Sequence, residues 1–467
     1  MATRQSGILG ELTMNILLIA PASGPWQRIE RHRTFNGKTF RFSMLSLLTV
    51  AALSPKDAKV TIVDEQVEDI PDDDFDLVGI TAMTALAPRA YELCAHFRSR
   101  GVPVVMGGFH ATLNPDEALR HADAIVTGPA TGAWERVCDD VRHGRLQRRY
   151  EGDPNAPYPK TLPRHLLESS RYQSVNATLA TMGCRNRCHF CSINAFHGGN
   201  RFTRPIVDVV EEVRGFSKGL FVFVDDNLTQ DRDYALDLFR ALAPLKRRWV
   251  IQASIEIAED TELLAALADG GCAGLFVGLE TFNSEALSEQ DKAFNRPERY
   301  RDAIRTLHGH GMFVEAGMIV GFDADGRNVF HDTLQMLDWA GIDVIQLAVL
   351  TPLPRTPLFE SMKDRIVDTN WEHYDYRHAV FTPKHMTAGE LQGGADWLIR
   401  KFYAPSRVLK RLYRWLTMPG GLRMFVYPLA LNLAYYGRVR RFQIRGRDPG
   451  ATVRPGRLQT LDLVNSR

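Results

Sequence analysis

The chain has 467 residues, of which 45% are hydrophobic and 24% are charged, and its formal net charge is +2. This is enough apolar material for the cores of two or three domains. No apolar run reaches the roughly 20 residues that cross a bilayer, and residues 1–13 lack the pattern of a secretory signal. We therefore expect a cytoplasmic protein whose cysteines stay reduced.

The first 140 residues contain short apolar runs that alternate with helical segments. Strands are predicted at 15–20, 59–63, 77–81, 103–106 and 123–127, and helices at 45–52 and 87–100. This alternation predicts a parallel sheet with helices on both faces, in a flavodoxin-like or Rossmann-like domain at 14–140. Ligands of such sheets bind at the carboxyl ends of the strands.

Three turns rich in glycine and threonine follow these strands at that edge. They are Thr81-Ala-Met-Thr84, Gly107-Gly-Phe-His110 and Gly128-Pro-Ala-Thr-Gly132. The run at 105–115 resembles the G-G-x-H-x-T-x-x-P turn of the cobalamin-binding domains fused ahead of many radical S-adenosylmethionine enzymes. The resemblance implies that cobalamin is contacted by Thr81, Thr84, Gly107, Gly108, His110 and Gly128.

The turns differ from that family in two ways. The chain has Gly128-Pro-Ala-Thr where the family often has G-E-x-E, and it lacks the D-x-H-x-x-G motif that supplies a histidine to cobalt. The resemblance therefore implies cobalamin without a histidine ligand from that motif. One alternative is that His110 stabilises its own turn; another is a degenerate flavodoxin-like domain that binds no cofactor.

Residues 141–170 are polar and contain four prolines, so we expect a linker that lays one domain over the mouth of the next. From 171 onward, six strand–helix units follow one another. Strands are predicted at 176–181, 220–224, 250–253, 274–278, 314–320 and 344–350, with helices at 207–216, 235–242, 262–268, 299–308 and 329–340. Six such units predict a partial (βα)6 barrel of the TIM type at 171–364, with its chemistry on the loops after the strands.

Three of the six cysteines, Cys184, Cys188 and Cys191, follow the first of these strands with the spacing C-x3-C-x2-C. Zinc ribbons usually have two C-x2-C pairs, and the sequence has no second pair. A four-iron four-sulfur cluster is normally held by four cysteines, so three in one loop would leave one iron open for chemistry. The spacing favours such a cluster over a zinc site or inert thiols.

With Phe190 at its aromatic position, this motif resembles the C-x3-C-x-aromatic-C signature of radical S-adenosylmethionine enzymes. The resemblance implies that S-adenosylmethionine chelates the open iron and is cleaved to methionine and a 5′-deoxyadenosyl radical. It also implies an electron donor such as a flavodoxin or ferredoxin. The cofactors then supply the chemistry, while the protein supplies position and shielding.

Polar residues and glycines follow the later strands, where a barrel site is expected. By the resemblance, residues after the second strand bind the methionine amino group, and residues after the third and fourth bind the ribose hydroxyls or the methionine end. The run at 317–321 resembles a G-x-I-x-G pattern that approaches adenine. The residues concerned are Asp225, Asp226, Asn227, Gln252, Ser254, Glu280, Gly317 and Gly321. For the carboxylates that end the second strand, helix capping is the alternative.

The remaining segment, 365–467, is predicted to be helical and basic. From Lys401 onward it has 14 Lys/Arg and two Asp/Glu, whereas the first 400 residues have 43 and 53. A basic amphipathic segment can lie on an anionic membrane surface; the alternative is a helical lid with an arginine-rich outer face. Nucleic-acid binding is not expected, because the body is acidic and lacks a nucleic-acid fold motif.

Together these features predict a cobalamin-dependent radical S-adenosylmethionine methyltransferase that acts on an unactivated carbon. The expected substrate is a small molecule or lipid, such as a natural product, a hopanoid or a tetrapyrrole. The alternatives are a related enzyme that performs cyclisation, ring contraction or oxidation, and a non-catalytic cobalamin or cluster sensor.

Overall fold

Two parallel sheets of six strands follow each other along the chain, and C-terminal helices pack on the second sheet. The computed structural model describes residues 13–22, 44–172, 174, 176–217, 219–418 and 421–445. The predicted α/β fold class, with a parallel sheet followed by a partial barrel, is confirmed.

The N-terminal sheet has the strand order β2-β1-β3-β4-β5-β6, and all neighbours pair in parallel. Its strands are β1 (Asn15–Ala20), β2 (Lys59–Asp64), β3 (Leu77–Thr81), β4 (Val104–Gly107), β5 (Ala124–Thr127) and β6 (Arg149–Glu151). The helices are α1 (Leu45–Leu53), α2 (Ala87–Ser99), α3 (Phe109–Leu113), α4 (Pro115–His121) and α5 (Trp134–Arg142). The order reverses at β1, as in flavodoxin-like sheets, which bind ligands at that point.

Strand β6 lies within the stretch 141–170 that the sequence predicted to be a linker. It pairs with β5, and the hydroxyl of its buried Tyr150 donates to Asp140 Oδ2 at 2.8 Å. The N-terminal sheet therefore extends past residue 140. A three-residue strand with two charged side chains has no apolar pattern from which it could be predicted.

The second sheet has the order β14-β13-β12-β11-β10-β7, so strands adjacent in the barrel follow each other along the chain. Its strands are β7 (Ala177–Thr178), β10 (Leu220–Phe223), β11 (Arg248–Ala253), β12 (Cys272–Glu280), β13 (Phe313–Val320) and β14 (Val344–Val349), and the antiparallel pair is β8 (Thr181–Met182) with β9 (Phe202–Thr203). The helices are α6 (Ser192–His197), α7 (Ile206–Arg214), α8 (Arg232–Leu242), α9 (Thr261–Asp269), α10 (Ser284–Glu289), α11 (Tyr300–Gly309), α12 (Val329–Ala340) and α13 (Pro357–Met362). This is the sheet of a partial (βα)6 barrel.

Side chains on the barrel strands alternate between a packed outer face and an accessible inner face. On β11, Trp249 and Ile251 are buried in the outer core, whereas Gln252 is exposed. On β14 the same alternation buries Ile345 and leaves Gln346 exposed. Because neighbouring residues of a strand point to opposite faces, these exposed glutamines lie on the inner face of the barrel, which is called the chamber below.

Four C-terminal helices pack on the barrel, the first along its side and the other three at the amino-terminal end of its strands. They are α14 (Ala388–Phe402), α15 (Pro405–Thr417), α16 (Gly421–Met424) and α17 (Val426–Arg445). Trp415 of α15 donates to Asp343, immediately before β14, at 2.8 Å, and Tyr435 of α17 donates to Glu315 of β13 at 2.6 Å. The inner faces of these helices form the lid that the sequence offered as an alternative. None of the described helices is long and apolar enough to span a bilayer.

Candidate functional site

The cysteine loop, residues 183–191, leads from β8 to α6 at the carboxyl end of the barrel. Gly183 has φ +81°, and a Cβ there would lie 2.3 Å from the carbonyl oxygen of Asn200, so only glycine fits. Its N–H donates to Asp226 Oδ2 at 2.7 Å. The Gln230 amide donates to the Gly183 carbonyl at 2.8 Å and accepts from Arg185 N at 2.7 Å. The loop after β10 therefore fixes the start of the cysteine loop.

The three motif thiols are free and belong to this one loop. Cys188 is buried, and Cys184 and Cys191 are partly exposed. Burial raises the pKa of Cys188 to about 11 and that of Cys191 to about 12, so nearby positive charge is needed to hold thiolates there. Across the described residues, no three His, Cys, Asp or Glu side chains are grouped tightly enough for one metal ion. Three cysteine thiols on one loop are ligands of the type that holds a four-iron four-sulfur cluster.

A largely buried ion pair supplies positive charge beside this loop. Glu280 ends β12, and Lys292 Nζ donates to its Oε1 at 2.5 Å. The ammonium lies 5.7 Å from the centroid of the Phe190 ring. Burial opposes the charge on Lys292, but attraction to Glu280 and to the thiols of Cys188 and Cys191 outweighs it and raises the lysine pKa. The sequence analysis missed Lys292, because a single lysine in a polar stretch carries no signal of its tertiary neighbours.

The structure brings together four predicted residues from the loop after β10 and from the end of β11 and the residue that follows it. The Gln252 amide donates to the Asp226 carbonyl at 2.9 Å, and the Asn227 amide donates to Ser254 Oγ at 3.0 Å. His197 of α6 lies 3.5 Å from Asp226 Oδ2. These side chains therefore form one polar rim that joins the chamber to the cysteine loop.

Asp225 differs from the expectation that it contacts the cofactor. Its side chain is buried and accepts hydrogen bonds from the N–H groups of Ala180 and Thr181 and from the Thr181 hydroxyl at 2.8 Å. Burial raises the pKa of Asp225 to about 7, against the hydrogen bonds, which favour its charged form. Asp225 thus ties the end of β10 to the strand that feeds the cysteine loop.

The two glycines of the predicted adenine pattern have different surroundings. Gly317 lies on β13, where a Cβ would come within 2.9 Å of the Phe276 ring of β12. Gly321, in the turn after β13, packs instead against Leu391 of α14, which a Cβ would approach to 2.8 Å. Both glycines are therefore tightly packed, Gly317 against the neighbouring strand and Gly321 against α14.

At the edge of the N-terminal sheet, the predicted turns form one connected surface. Gly108 has φ +87°, and a Cβ there would lie 2.7 Å from the Thr81 hydroxyl. The Thr112 hydroxyl donates to the Gly108 carbonyl at 2.9 Å and accepts from Gly128 N at 3.0 Å. Apart from its chain neighbours, no described residue has an atom within 4 Å of where a Gly128 Cβ would be, and Gly107 is also partly exposed. This accessible backbone edge fits a large flat cofactor such as cobalamin.

His110 and Thr84 of the same turns are buried below that edge. His110 Nε2 lies 2.7 Å from the Tyr91 hydroxyl, which donates to Glu117 at 3.0 Å, and Trp371 Nε1 donates to the same carboxylate oxygen at 2.8 Å. Burial lowers the pKa of His110 to about 4. The histidine ring therefore serves the packing of its turn, which is the alternative that the sequence left open.

The N-terminal edge lies against the mouth of the barrel. Phe109 of α3 stacks on Phe196 of α6, with ring centroids 4.4 Å apart. Arg355, in the loop after β14, donates to the Thr112 carbonyl at 3.3 Å. The two candidate cofactor surfaces, one on each domain, are therefore neighbours.

Tyr376 is a second residue that the sequence analysis missed. Its φ of +65° is in the left-handed region, and its carbonyl accepts from Val349 N, at the end of β14, at 2.8 Å. Its side chain is 38% exposed. Burial of the hydroxyl and the nearby Cys191 raise the pKa of Tyr376 to about 12. Tyr376 is therefore an accessible side chain near the cysteine loop, on a backbone conformation that non-glycine residues rarely adopt.

Comparison with known proteins agrees with this geometry. Residues 178–337 match the family model of the radical SAM superfamily, and residues 47–137 match that of the B12 binding domain. The structure of the radical S-adenosylmethionine methyltransferase TsrM from Kitasatospora setae, with cobalamin and a [4Fe-4S] cluster bound, is similar to this fold, with a TM-score of 0.58. That similarity covers 76% of this chain and 78% of the other at 16% identity.

Two curated relatives come from Chlorobaculum tepidum. Bacteriochlorophyllide d C-12(1)-methyltransferase is 30% identical over 79% of this chain and 84% of its own length. Bacteriochlorophyllide d C-8(2)-methyltransferase is 29% identical over 72% of this chain and 80% of its own length. The chain therefore belongs to the radical S-adenosylmethionine enzymes with a B12-binding domain, a family that uses a four-iron four-sulfur cluster, S-adenosylmethionine and cobalamin.

Proposed function

We propose that this protein is a methyltransferase that adds a methyl group to an unactivated carbon. The observation that carries the proposal is the contact between the two domains, where Phe109 stacks on Phe196 and Arg355 bonds to Thr112. A substrate held at this junction would lie between the cobalamin edge and the cysteine loop. When bound, the cofactors supply a transferable methyl group and a radical that removes hydrogen from carbon.

The residues divide into three groups by position. We assign iron binding to Cys184, Cys188 and Cys191, and cobalamin contacts to the accessible turn residues Thr81, Gly107, Gly108 and Gly128. We assign S-adenosylmethionine to Asp226, Asn227, Gln252, Ser254, Gly317 and the Glu280–Lys292 pair. The carboxylate of Asp226 suits an ammonium group, and the Lys292 cation suits a carboxylate.

The proposed substrate is a large apolar molecule such as a tetrapyrrole or a lipid. Uncharged side chains are exposed on both sides of the junction, namely Val224, Gln252 and Gln346 on the barrel and Met83 beside Thr81 on the facing domain. A large apolar molecule can pack against such side chains, while a few charged groups near them provide polar contacts. The names of the two Chlorobaculum tepidum relatives, which act on bacteriochlorophyllide d, support the tetrapyrrole.

The test is anaerobic turnover with S-adenosylmethionine that carries a deuterated methyl group. Protein reconstituted with iron, sulfide and cobalamin is given dithionite and bacteriochlorophyllide d, and mass spectrometry follows 5′-deoxyadenosine and labelled product. Replacing Cys184, Cys188 and Cys191 with alanine should abolish both products and the cluster absorbance. A matched variant without Cys94, Cys138 and Cys272, which are buried outside the motif, should keep them.

Other results would point to the alternatives. A product altered without the label would indicate cyclisation, ring contraction or oxidation. A stable cluster that never yields 5′-deoxyadenosine would indicate a sensor. Retention of the cluster in the triple cysteine variant would remove the assignment of the ligands.

Two partners belong to the same proposal. We propose an electron donor such as a flavodoxin or ferredoxin, because Arg185, Arg187 and Arg201 are exposed around the cysteine loop. We also propose that the basic C-terminal region contacts an anionic membrane surface from a cytoplasmic position. Its exposed apolar side chains, among them Leu409 and Tyr413, support this contact.

A further inference from the structure

A cleft of about 620 Å³ lies between α14 and α17, at the end of the barrel opposite to the cysteine loop. Its lining includes three cations and three aromatic residues: Arg400, Lys401, Arg440, Trp397, Tyr403 and Tyr436. No carboxylate is among the lining residues. The cleft therefore has the composition of a site for an anion that carries an apolar body.

The three cations are available to a ligand. None of them forms an ion pair with another residue in the part of the chain that the structure describes. Asp396, one turn before Arg400, attracts it electrostatically but does not line the cleft. Arg400 and Lys401 also complement the carbonyl end of α14. Stabilisation of the carbonyl end of α14 does not account for Arg440, because Arg440 belongs to α17.

The floor of the cleft is rigid. The Tyr403 hydroxyl donates to the Ile345 carbonyl at 2.8 Å and accepts from Ile345 N at 3.1 Å, so the ring is fixed on β14. Arg440 lies 5.7 Å from the centroid of the Tyr436 ring. Guanidinium groups bind phosphate oxygens in pairs, and an ammonium adds a point charge. A phosphate group in the cleft would thus have both guanidinium and ammonium donors beside the fixed ring of Tyr403.

An exposed apolar stripe begins at the rim of the cleft. Helix α15 starts at Pro405, which lines the cleft, and carries Leu409 and Tyr413, each 67% exposed, and Leu416, 49% exposed. Their spacing of four and three residues places them on one face, while Leu412 and Trp415 on the other face are buried against the barrel. The helix is therefore part of the lid and also presents an apolar surface to its surroundings.

We propose that the cleft binds the phosphate of an anionic phospholipid while the α15 stripe enters the interface of the same bilayer. This inference rests on the proposed membrane contact and adds the place where the headgroup binds. A soluble phosphate would contact only the three cations. A phospholipid would contact the cations with its phosphate and the aromatic residues of the cleft and the α15 stripe with its apolar part. The charged headgroup of such a lipid matches the cationic cleft, and its apolar chains match the exposed stripe of α15.

The test is flotation of the full, reconstituted chain with vesicles of phosphatidylcholine, with and without phosphatidylglycerol. The variant Arg400→Gln/Lys401→Gln/Arg440→Gln should bind anionic vesicles roughly a hundredfold more weakly, at about fivefold for each cation near the surface. The matched variant Arg214→Gln/Arg240→Gln/Arg305→Gln loses the same charge from exposed barrel helices and should bind like the parent. Leu409→Ser/Tyr413→Ser/Leu416→Ser should lose the part of binding that survives high salt. Melting curves verify that each variant is folded.

The outcomes separate this inference from the proposal on which it rests. If the full chain ignores anionic vesicles at low salt, the membrane contact and the inference both fail. If the cleft variant binds as tightly as the parent, membrane contact stands but the cleft is not the headgroup site. If millimolar inorganic phosphate or glycerol phosphate protects the parent from heating and no vesicle binding is seen, the cleft takes a soluble anion and the lipid is overturned.

Discussion

Lys292 and Glu280 form a largely buried pair beside the cysteine loop, with 2.5 Å between Nζ and Oε1. Replacing Lys292 with methionine leaves a carboxylate without its partner in a poorly solvated place. We expect the free energy of unfolding of the reconstituted protein to fall by about 3 kcal/mol. 5′-Deoxyadenosine formation should fall at least tenfold, because the proposed contact of Lys292 with the cofactor carboxylate is lost.

The control is the double variant Lys292→Met/Glu280→Gln, which removes both charges. Urea unfolding should show that most of the lost stability returns, whereas 5′-deoxyadenosine formation should stay low. If the double variant is no more stable than the single one, the buried charge is not the cause of the loss. If its activity recovers with its stability, Lys292 is structural rather than a cofactor contact.

His110 makes stability depend on pH. Its folded-state pKa is lowered by burial to about 4, so the unfolded chain binds a proton more readily than the folded one between about pH 6.5 and pH 4. Its favourable contribution is thus complete above pH 6.5 and is lost as the pH falls through this window, by about 3 kcal/mol in total. In His110→Gln the free energy of unfolding should decline less over this range. Equal slopes for both proteins, measured by urea unfolding at several pH values, would contradict the prediction.

The sequence predicted which residues lie near the site better than it predicted which way their side chains point. Residues after neighbouring parallel strands were expected to meet, and Asp226, Asn227, Gln252 and Ser254 do so. Asp225 and Asp226 are adjacent in the chain, but only one of them is buried under backbone donors. Which of two neighbouring carboxylates faces the chamber depends on the local path of the backbone, and composition does not encode that path.

Among the elements, those with long apolar runs and clear ends were predicted well. Strands β1 and β3 and helix α12 begin and end at the predicted residues. The strand predicted at 176–181 is divided instead, because β7 pairs with β10 while β8 pairs with β9. Such two-residue ladders depend on partners far along the chain, and a sequence window contains no record of those partners.

The lid helices are held to the barrel by Asp343. Its carboxylate lies 2.7 Å from His308 Nε2 and accepts from Val314 N at 2.9 Å, from Trp415 Nε1 at 2.8 Å and from Arg414 at 2.6 Å. Burial opposes ionisation, but His308 and Arg414 outweigh it and hold the pKa of Asp343 far below its usual range. Its contribution is therefore present above about pH 4 and is lost only in stronger acid.

Replacing Asp343 with asparagine should lower the free energy of unfolding by about 3–5 kcal/mol, because Arg414 and the buried His308 lose the carboxylate with which they pair. The matched control is Asp338→Asn. Asp338 of α12 also pairs with α15, through Arg407, but both side chains of that pair are about one-third exposed. The control should therefore cost no more than about 1 kcal/mol. Similar losses for the two variants in thermal unfolding would show that Asp343 has no special role in holding the lid.

At the scale of the molecule, function depends on where the N-terminal edge, the polar rim, the lid and the exposed side of the cysteine loop lie relative to one another. The N-terminal edge and the polar rim face each other across the mouth of the barrel, while the lid closes the other end. One side of the cysteine loop remains open, and there Arg185 and Arg187 are exposed between the first two cysteines, with Arg201 nearby. An electron donor that docks on this face would lie beside the cysteine loop and so beside the proposed cluster.

This arrangement predicts how the electron donor is recognised. A flavodoxin with an acidic surface should be attracted to the exposed arginines, and this steering weakens as salt screens it. In Arg185→Gln/Arg187→Gln, the KM for reduced flavodoxin should rise about tenfold at low salt and approach the parent value at high salt. With dithionite, which needs no docking surface, 5′-deoxyadenosine formation should be unchanged. The matched variant Arg240→Gln/Arg305→Gln should behave like the parent with both reductants. An equal loss with dithionite would show that the two arginines support the cysteine loop itself, and an unchanged KM would place the docking face elsewhere.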